Sequence, residues 1–160
     1  MNRIRQLTRR DIPELIQLCR EHAAFERAEW VEGDREERLA TLLLDTPSAH
    51  AFVAEGRGEL AGFATANLEL STWDARQYLH LDCLYLREAY RGLGLGRGFL
   101  EEIARVAVES GAANLQWQTP AWNRDAVEFY EAMGATSKEK LRFTLGLEGC
   151  AKLAKGRTSD

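Results

Sequence analysis

The sequence predicts a single α/β domain built on a mixed sheet, and three observations lead there. The chain has 160 residues, within the usual size range of one domain, and 45% of them are hydrophobic, enough for one real core. Segments of period-2 apolar patterning are interspersed with segments of helical spacing. A glycine-rich turn joins the longest strand candidate to an amphipathic helix, which predicts a parallel crossover after a set of antiparallel hairpins.

The elements follow in order. Ile4 to Leu7 is a short strand candidate, with Thr8 and Asp11 as caps and Pro13 near a helix start, where its missing N–H costs little. Ile12, Leu15, Ile16 and Cys19 then recur at helical spacing. Asp34 and Glu37 form a capping-box pattern before a second helix whose stripe is Leu39, Leu42 and Leu43, stopped by Thr46-Pro47. Ala51 to Ala54 and Leu60 to Ala66 are strands of a hairpin turned by Gly56-Arg57-Gly58-Glu59. Gln77 to Leu86 is the long strand, and Leu95, Phe99, Ile103, Val106 and Ala107 mark the inward face of the next helix. Asn114 to Gln118 is a strand, Arg124 to Met133 a short helix ending at Gly134 as a left-handed cap, and Leu141 to Leu145 a last strand. The expected domain is 1–146, with 147–160 a weakly patterned C-terminal tail.

Composition excludes several classes. A formal charge of −4 and a pI near 5.5 argue against nucleic acid as a partner, since such domains show a basic excess or stripe. Cys19, Cys83 and Cys150 are far apart and odd in number, so neither a disulfide framework nor a metal site is indicated and a reducing cytoplasm fits. The N-terminus has no apolar signal core and no stretch is long and apolar enough for a membrane span.

Tyr90-Arg91-Gly92-Leu93-Gly94-Leu95-Gly96-Arg97-Gly98 is the most informative segment. A strand-to-helix turn presents unpaired helix N–H groups and the positive end of the helix dipole, so a pyrophosphate can accept several backbone bonds there. Gly94 and Gly96 let its oxygens approach, and Arg91 and Arg97 add cationic donors. The turn is not a Walker A loop, which ends in Gly-Lys-Ser/Thr, and the third glycine of a dinucleotide fingerprint is replaced by Arg97.

Arg91, Gly94 and Gly96 match the Arg/Gln-x-x-Gly-x-Gly/Ala signature of the GNAT N-acetyltransferases, which the sequence resembles from Ile4 to Leu145. Trp122-Asn123, Ala126, Phe129-Tyr130 and Met133-Gly134-Ala135 look like the family's second motif, and Phe25-Glu26 with Tyr90-Arg91-Gly92 resembles its diamine and polyamine branch. The resemblance implies a GNAT fold: a mostly antiparallel, twisted sheet of six to seven strands flanked by about four helices. It implies acetyl-CoA as cosubstrate, held by Arg91, Gly92, Gly94, Gly96, Arg97 and Asn123, with the backbone of Leu84 and Leu86 on the pantetheine arm. It also implies a small-molecule amine substrate and a homodimer.

Acetyl transfer to an amine needs a base, because an alkylammonium has a pKa near 10.4, and an acid for the departing thiolate. Asp82 sits in a strand where alternation puts it on one face with Tyr78, His80 and Leu84, and it matches the branch's glutamate near the amine. It is therefore a water-mediated base or an ammonium anchor, with His80 an alternative base. Tyr130 falls where the family has the tyrosine that protonates the thiolate, although it also fits a buried helix stripe. Asn123 contacts coenzyme, caps the helix, or does both. Cys83 opens an acetyl-cysteine route, but alternation turns it to the core as a small hydrophobe.

Phe25 and Glu26 are the acceptor-binding candidates with Asp82. They lead an acidic run, Glu26, Glu29, Glu32, Asp34, Glu36 and Glu37, in which Phe25 and Trp30 could stack a cation's stem or head. Another amine, such as an amino acid, an aminoglycoside, or a protein N-terminus or lysine, is the alternative acceptor. A non-catalytic acyl-CoA sensor is the alternative from a different class.

Overall fold

The computed structural model describes residues 2–156, which fall into two compact units, one ending at Pro120 and the other beginning at Ala121. The first unit carries β1 (Arg3–Gln6), α1 (Ile12–Phe25), α2 (Arg35–Leu44), β2 (Ala49–Glu55), β3 (Leu60–Ser71), β4 (Arg76–Leu86), α3 (Leu95–Glu109) and β5 (Leu115–Gln116). Its sheet runs in the order β1-β2-β3-β4-β5, antiparallel throughout except for the parallel β4–β5 pair that spans the α3 crossover.

Helices cover both faces. Ile12, Leu15 and Leu18 of α1 and Ala40 of α2 pack with Val53 and Phe63 in one buried cluster, where Cys83 and Tyr85 also rest. Neighbouring residues on a strand point to opposite faces, so Ala54 lies on the other side, and there α3 packs. Gly98 of α3 comes so close to Ile4, the partner of Ala54, that a Cβ would stand 2.6 Å from Ile4 Cδ1. Phe99 and Ile103 are fully buried on this side. The entry to α1 is fixed by Asp11, whose carboxylate accepts from the Thr8 N–H at 2.8 Å and from Arg5 Nη1 at 2.8 Å.

The second unit carries α4 (Arg124–Ala132) and α5 (Leu147–Ala154), with Gly134 past the end of α4 in the left-handed region at φ 93°.

The structure corrects four expectations. Five strands, not six to seven, and five α-helices are present among the described residues. Leu141 to Leu145 alternates as a strand should but pairs with no ladder, and Leu141 and Phe143 are exposed. Within the expected tail, Leu147–Ala154 instead forms α5, because Leu, Ala and Lys favour helix and Glu148 pairs with Lys152 one turn on. Asp34 occupies the N-cap of α2 without a side-chain cap bond, so the capping box does not form; its carbonyl accepts from Arg38 Nε at 2.8 Å.

Candidate active site

The glycine turn lies where the sequence places it. Gly92 and Gly94 have φ of 74° and 83°, left-handed values that favour glycine, and Gly94 is the N-cap of α3. The Gly98 N–H bonds the Gly94 carbonyl at 3.0 Å, closing the first turn of α3. The N–H groups of Leu95 and Gly96 precede it at the helix N-terminus, where the helix supplies no carbonyl one turn back. Such a row of donors fits a pyrophosphate. Arg97 lies along α3, paired with Glu101 at 3.1 Å. Arg91 turns back, donating from Nε to the Leu86 carbonyl at 2.9 Å with its guanidinium 4.8 Å from the Phe25 ring centroid.

β5 is two residues long and meets β4 only at Leu79 and His80, so the later part of β4 has an edge that β5 does not cover. Arg87 donates its N–H to Ala61 on β3. By alternation Tyr85 and Cys83 bond toward β3 as well, leaving the Leu84 peptide groups and the Leu86 N–H on the edge that β5 does not cover, while the Leu86 carbonyl accepts from Arg91. An extended amide chain could pair there.

Asp82 stands at a β-bulge: Cys83 pairs with Thr65 and Leu81 with Ala66, so Asp82 has no partner on β3. The extra residue reverses the alternation beyond it. Leu84 is thereby moved to the face of Leu79 and Leu81, away from Tyr78 and His80, which overturns the simple count of shared faces. Asp82 is exposed and accepts from the Cys83 thiol, Sγ to Oδ2 3.6 Å. Cys83 does pack on the core, as expected, and burial, followed by Asp82 among other acidic neighbours including Glu26, pushes its thiol far above the ordinary range. His80 is oriented by a carboxylate: Nδ1 is 3.2 Å from Glu69 Oε1, and Glu69 Oε2 accepts from the Tyr78 hydroxyl at 2.8 Å.

At the end of α1, Glu26 lies 3.3 Å from His22 Nε2. His22 stacks on Tyr85, with ring centroids 5.2 Å apart and planes at 22°, and Phe25 lies beside the same ring at 6.5 Å. The first unit thus brings Phe25, Glu26 and Arg91 to one aromatic group centred on Tyr85. His22 and Tyr85 escaped notice in the sequence, where only the i,i+4 spacing of His22 and Glu26 hinted at a pair. Trp30 is already engaged: Arg35 lies 3.6 Å and Arg20 5.5 Å from its ring, and Glu32 holds both Arg20 and the indole N–H. The acidic run is therefore satisfied in part by neighbouring arginines.

In the second unit Asn123 caps α4, its Oδ1 accepting from the Ala126 N–H at 3.4 Å. Tyr130 is half-buried with its ring 5.5 Å from that of Phe129, and no residue of α4 is fully buried, so the stripe is not a closed core. Among the described residues no group of three His, Cys, Asp or Glu side chains is placed to hold a metal ion.

Residues 11–135 match the model of the acetyltransferase (GNAT) family. The chain is 30% identical to the thialysine N-epsilon-acetyltransferase of Caenorhabditis elegans over 86% of both chains, and 30% identical to that of Bos taurus over 82% of both. Among solved structures, an aminoglycoside acetyltransferase from an uncultured soil metagenomic sample superposes with a TM-score of 0.76 at 21% identity, covering 91% of this chain and 96% of that one. An aminoglycoside N-acetyltransferase in complex with CoA gives 0.72 at 18% identity, covering 90% and 98%. These two likenesses bear on the fold.

Proposed function

The chain belongs to the acetyltransferase (GNAT) family and is an acetyl-CoA-dependent N-acetyltransferase, and from that premise we propose that its acceptor is a small cation bearing a primary amine, such as a diamine, a polyamine or a lysine-like amine. The observation that carries this reading is the pair of carboxylates in the first unit, Asp82 at the β4 bulge beside Cys83 and Glu26 at the end of α1 beside His22, whose ring stacks on Tyr85 of the same strand. Two negative groups flanking one patch favour a cation. The worm and bovine relatives are named for an ε-amine, which has the same chemistry.

Acetyl-CoA supplies the activated acetyl thioester. The first-turn amides of α3 with Gly92, Gly94 and Gly96 take its pyrophosphate, Arg91 and Arg97 add charge, and the backbone of Leu84 and Leu86 takes the pantetheine arm. Asn123 contacts the coenzyme as well as capping α4. Asp82 anchors the ammonium or accepts its proton through water, so that the free amine attacks the thioester directly. Tyr130 gives a proton to the leaving sulfur.

The catalytic domain is assigned to 1–146 and residues 147–160 to a C-terminal extension. A homodimer is proposed on the exposed apolar residues Leu141, Phe143 and Leu147, a surface that favours association; a monomeric mass by light scattering at micromolar concentration would remove it. A cytoplasmic location is supported by the three free cysteines among the described residues. No helix among those residues is long and apolar enough to cross a membrane.

An acceptor panel with acetyl-CoA tests the substrate class. Diamines, polyamines and lysine-like amines are expected to exceed neutral aminosugars and amino-acid α-amines in kcat/KM, with added salt weakening their capture. A clear preference for peptide N-termini would overturn the assignment.

A further inference from the structure

Resting on the assignment of Glu26 to the acceptor site, we propose that His22 is the positioning residue that fixes the Glu26 carboxylate, and that the pair sets a preference for acceptors with a second positive charge. His22 and Glu26 are one turn apart on the last turns of α1, with Nε2 3.3 Å from Oε1. The imidazole is wedged between two rings, stacked on Tyr85 and edge-on to Phe63 with centroids 5.9 Å apart. Its side chain is 13% exposed, against 34% for Glu26.

A glutamate at a helix end loses considerable rotamer freedom when it holds a ligand, and one fixed in advance loses less on binding. The wedge removes freedom from the imidazole, and the imidazole N–H holds one carboxylate oxygen. Oε2 has no hydrogen-bond partner among the described residues and is left to accept from a cation. Glu26 brings one carboxylate to this end of α1, and Asp82 supplies another on β4 beside Cys83. Arg91 also lies against this aromatic group, with Nε bonded to the Leu86 carbonyl and the guanidinium over the Phe25 ring. Two separated carboxylates match an acceptor whose reacting ammonium meets Asp82 while its second ammonium meets Glu26.

Steady-state kinetics with 1,4-diaminobutane and butylamine, at saturating acetyl-CoA, tests the pair. His22→Phe keeps the ring stack and removes the hydrogen bond. It is expected to raise KM for the diamine about tenfold, the loss of one charge-assisted hydrogen bond, and to change kcat and the butylamine KM by less than about threefold. His22→Gln, which restores a donor one turn from Glu26, is expected to recover most of the diamine KM. If Glu26→Gln raises the diamine KM while His22→Phe does not, His22 has no positioning role. If Glu26→Gln leaves it unchanged, the acceptor role of Glu26 falls, and the inference with it. A loss in His22→Phe that His22→Gln does not relieve, or that is equal for both amines, also overturns it.

Discussion

Arg91 Nε donates to the Leu86 carbonyl at 2.9 Å, tying the glycine turn to the last residue of β4. The guanidinium lies over Phe25 and Tyr85, and its two terminal nitrogens have no hydrogen-bond partner among the described residues. A flat fork with one edge anchored suits an anion better than a mobile ammonium does. Arg91→Lys keeps the charge but loses fork and anchor, so acetyl-CoA affinity by calorimetry should fall about ten- to hundredfold. Unchanged affinity would leave Arg91 holding the turn and nothing else.

Tyr130→Phe removes one hydroxyl from a helix in which no residue is fully buried, so its fold should be retained. Turnover is expected to drop about ten- to ten-thousand-fold, the range for a lost general acid, with little change in coenzyme affinity. Full activity under conditions where chemistry limits the rate would make Tyr130 a packing residue.

Cys83 is a poor nucleophile here, because burial and then the neighbouring Asp82 oppose formation of the thiolate. Cys83→Ala is expected to keep turnover within about threefold, as a small buried hydrophobe would. Mass spectrometry of the wild-type protein with acetyl-CoA alone should find no acetyl group on Cys83. Parallel-line kinetics together with an inactive alanine variant would establish an acyl-enzyme instead.

Asp11 links fold to pH. Arg5 holds its carboxyl down to about 2 from an ordinary 3.8, against the opposing effect of burial and with help from the Thr8 N–H and hydroxyl. A depressed folded pKa gives stability that is present above the ordinary value and is lost as pH falls toward the folded one. The contribution is on the order of 2 kcal/mol at neutral pH. Urea midpoints of Asp11→Asn should be lower at neutral pH and converge on wild type in acid; parallel curves would remove Asp11 from the acid response.

Much of this site was legible because its signals are local. Glycines at 92 and 94 report left-handed backbone, Asn123 reports a helix start, and the period of Leu95, Phe99 and Ile103 reports the face that α3 buries. The bulge at Asp82 was not legible, since it needs no glycine or proline and exists only in the register between β3 and β4. His22 on Tyr85 and Glu69 on His80 join residues 63 and 11 positions apart in sequence. Leu141 to Leu145 shows the opposite failure: the pattern is local, but a strand requires a partner that the pattern does not specify.

Asp82 is exposed at the bulge, where its carboxylate accepts from Cys83 and can reach a bound ammonium or a water. Asp82→Asn retains shape and hydrogen bonding but loses charge and basicity. With a primary amine of pKa near 10.4, the acceptor is almost wholly protonated at neutral pH, and the variant should be slower there by about a hundredfold or more. As pH rises toward the acceptor's own pKa the free amine no longer needs a base, so kcat/KM should climb toward wild type. An undisturbed pH–rate profile would move the base to solvent or to His80. Glu69 on Nδ1 would favour the tautomer with the lone pair on Nε2, and Tyr78 in turn fixes Glu69. His80→Gln would then separate the two, because it should slow the reaction near neutrality and let it recover at high pH if His80 is the base, and leave the profile unchanged if water acts alone.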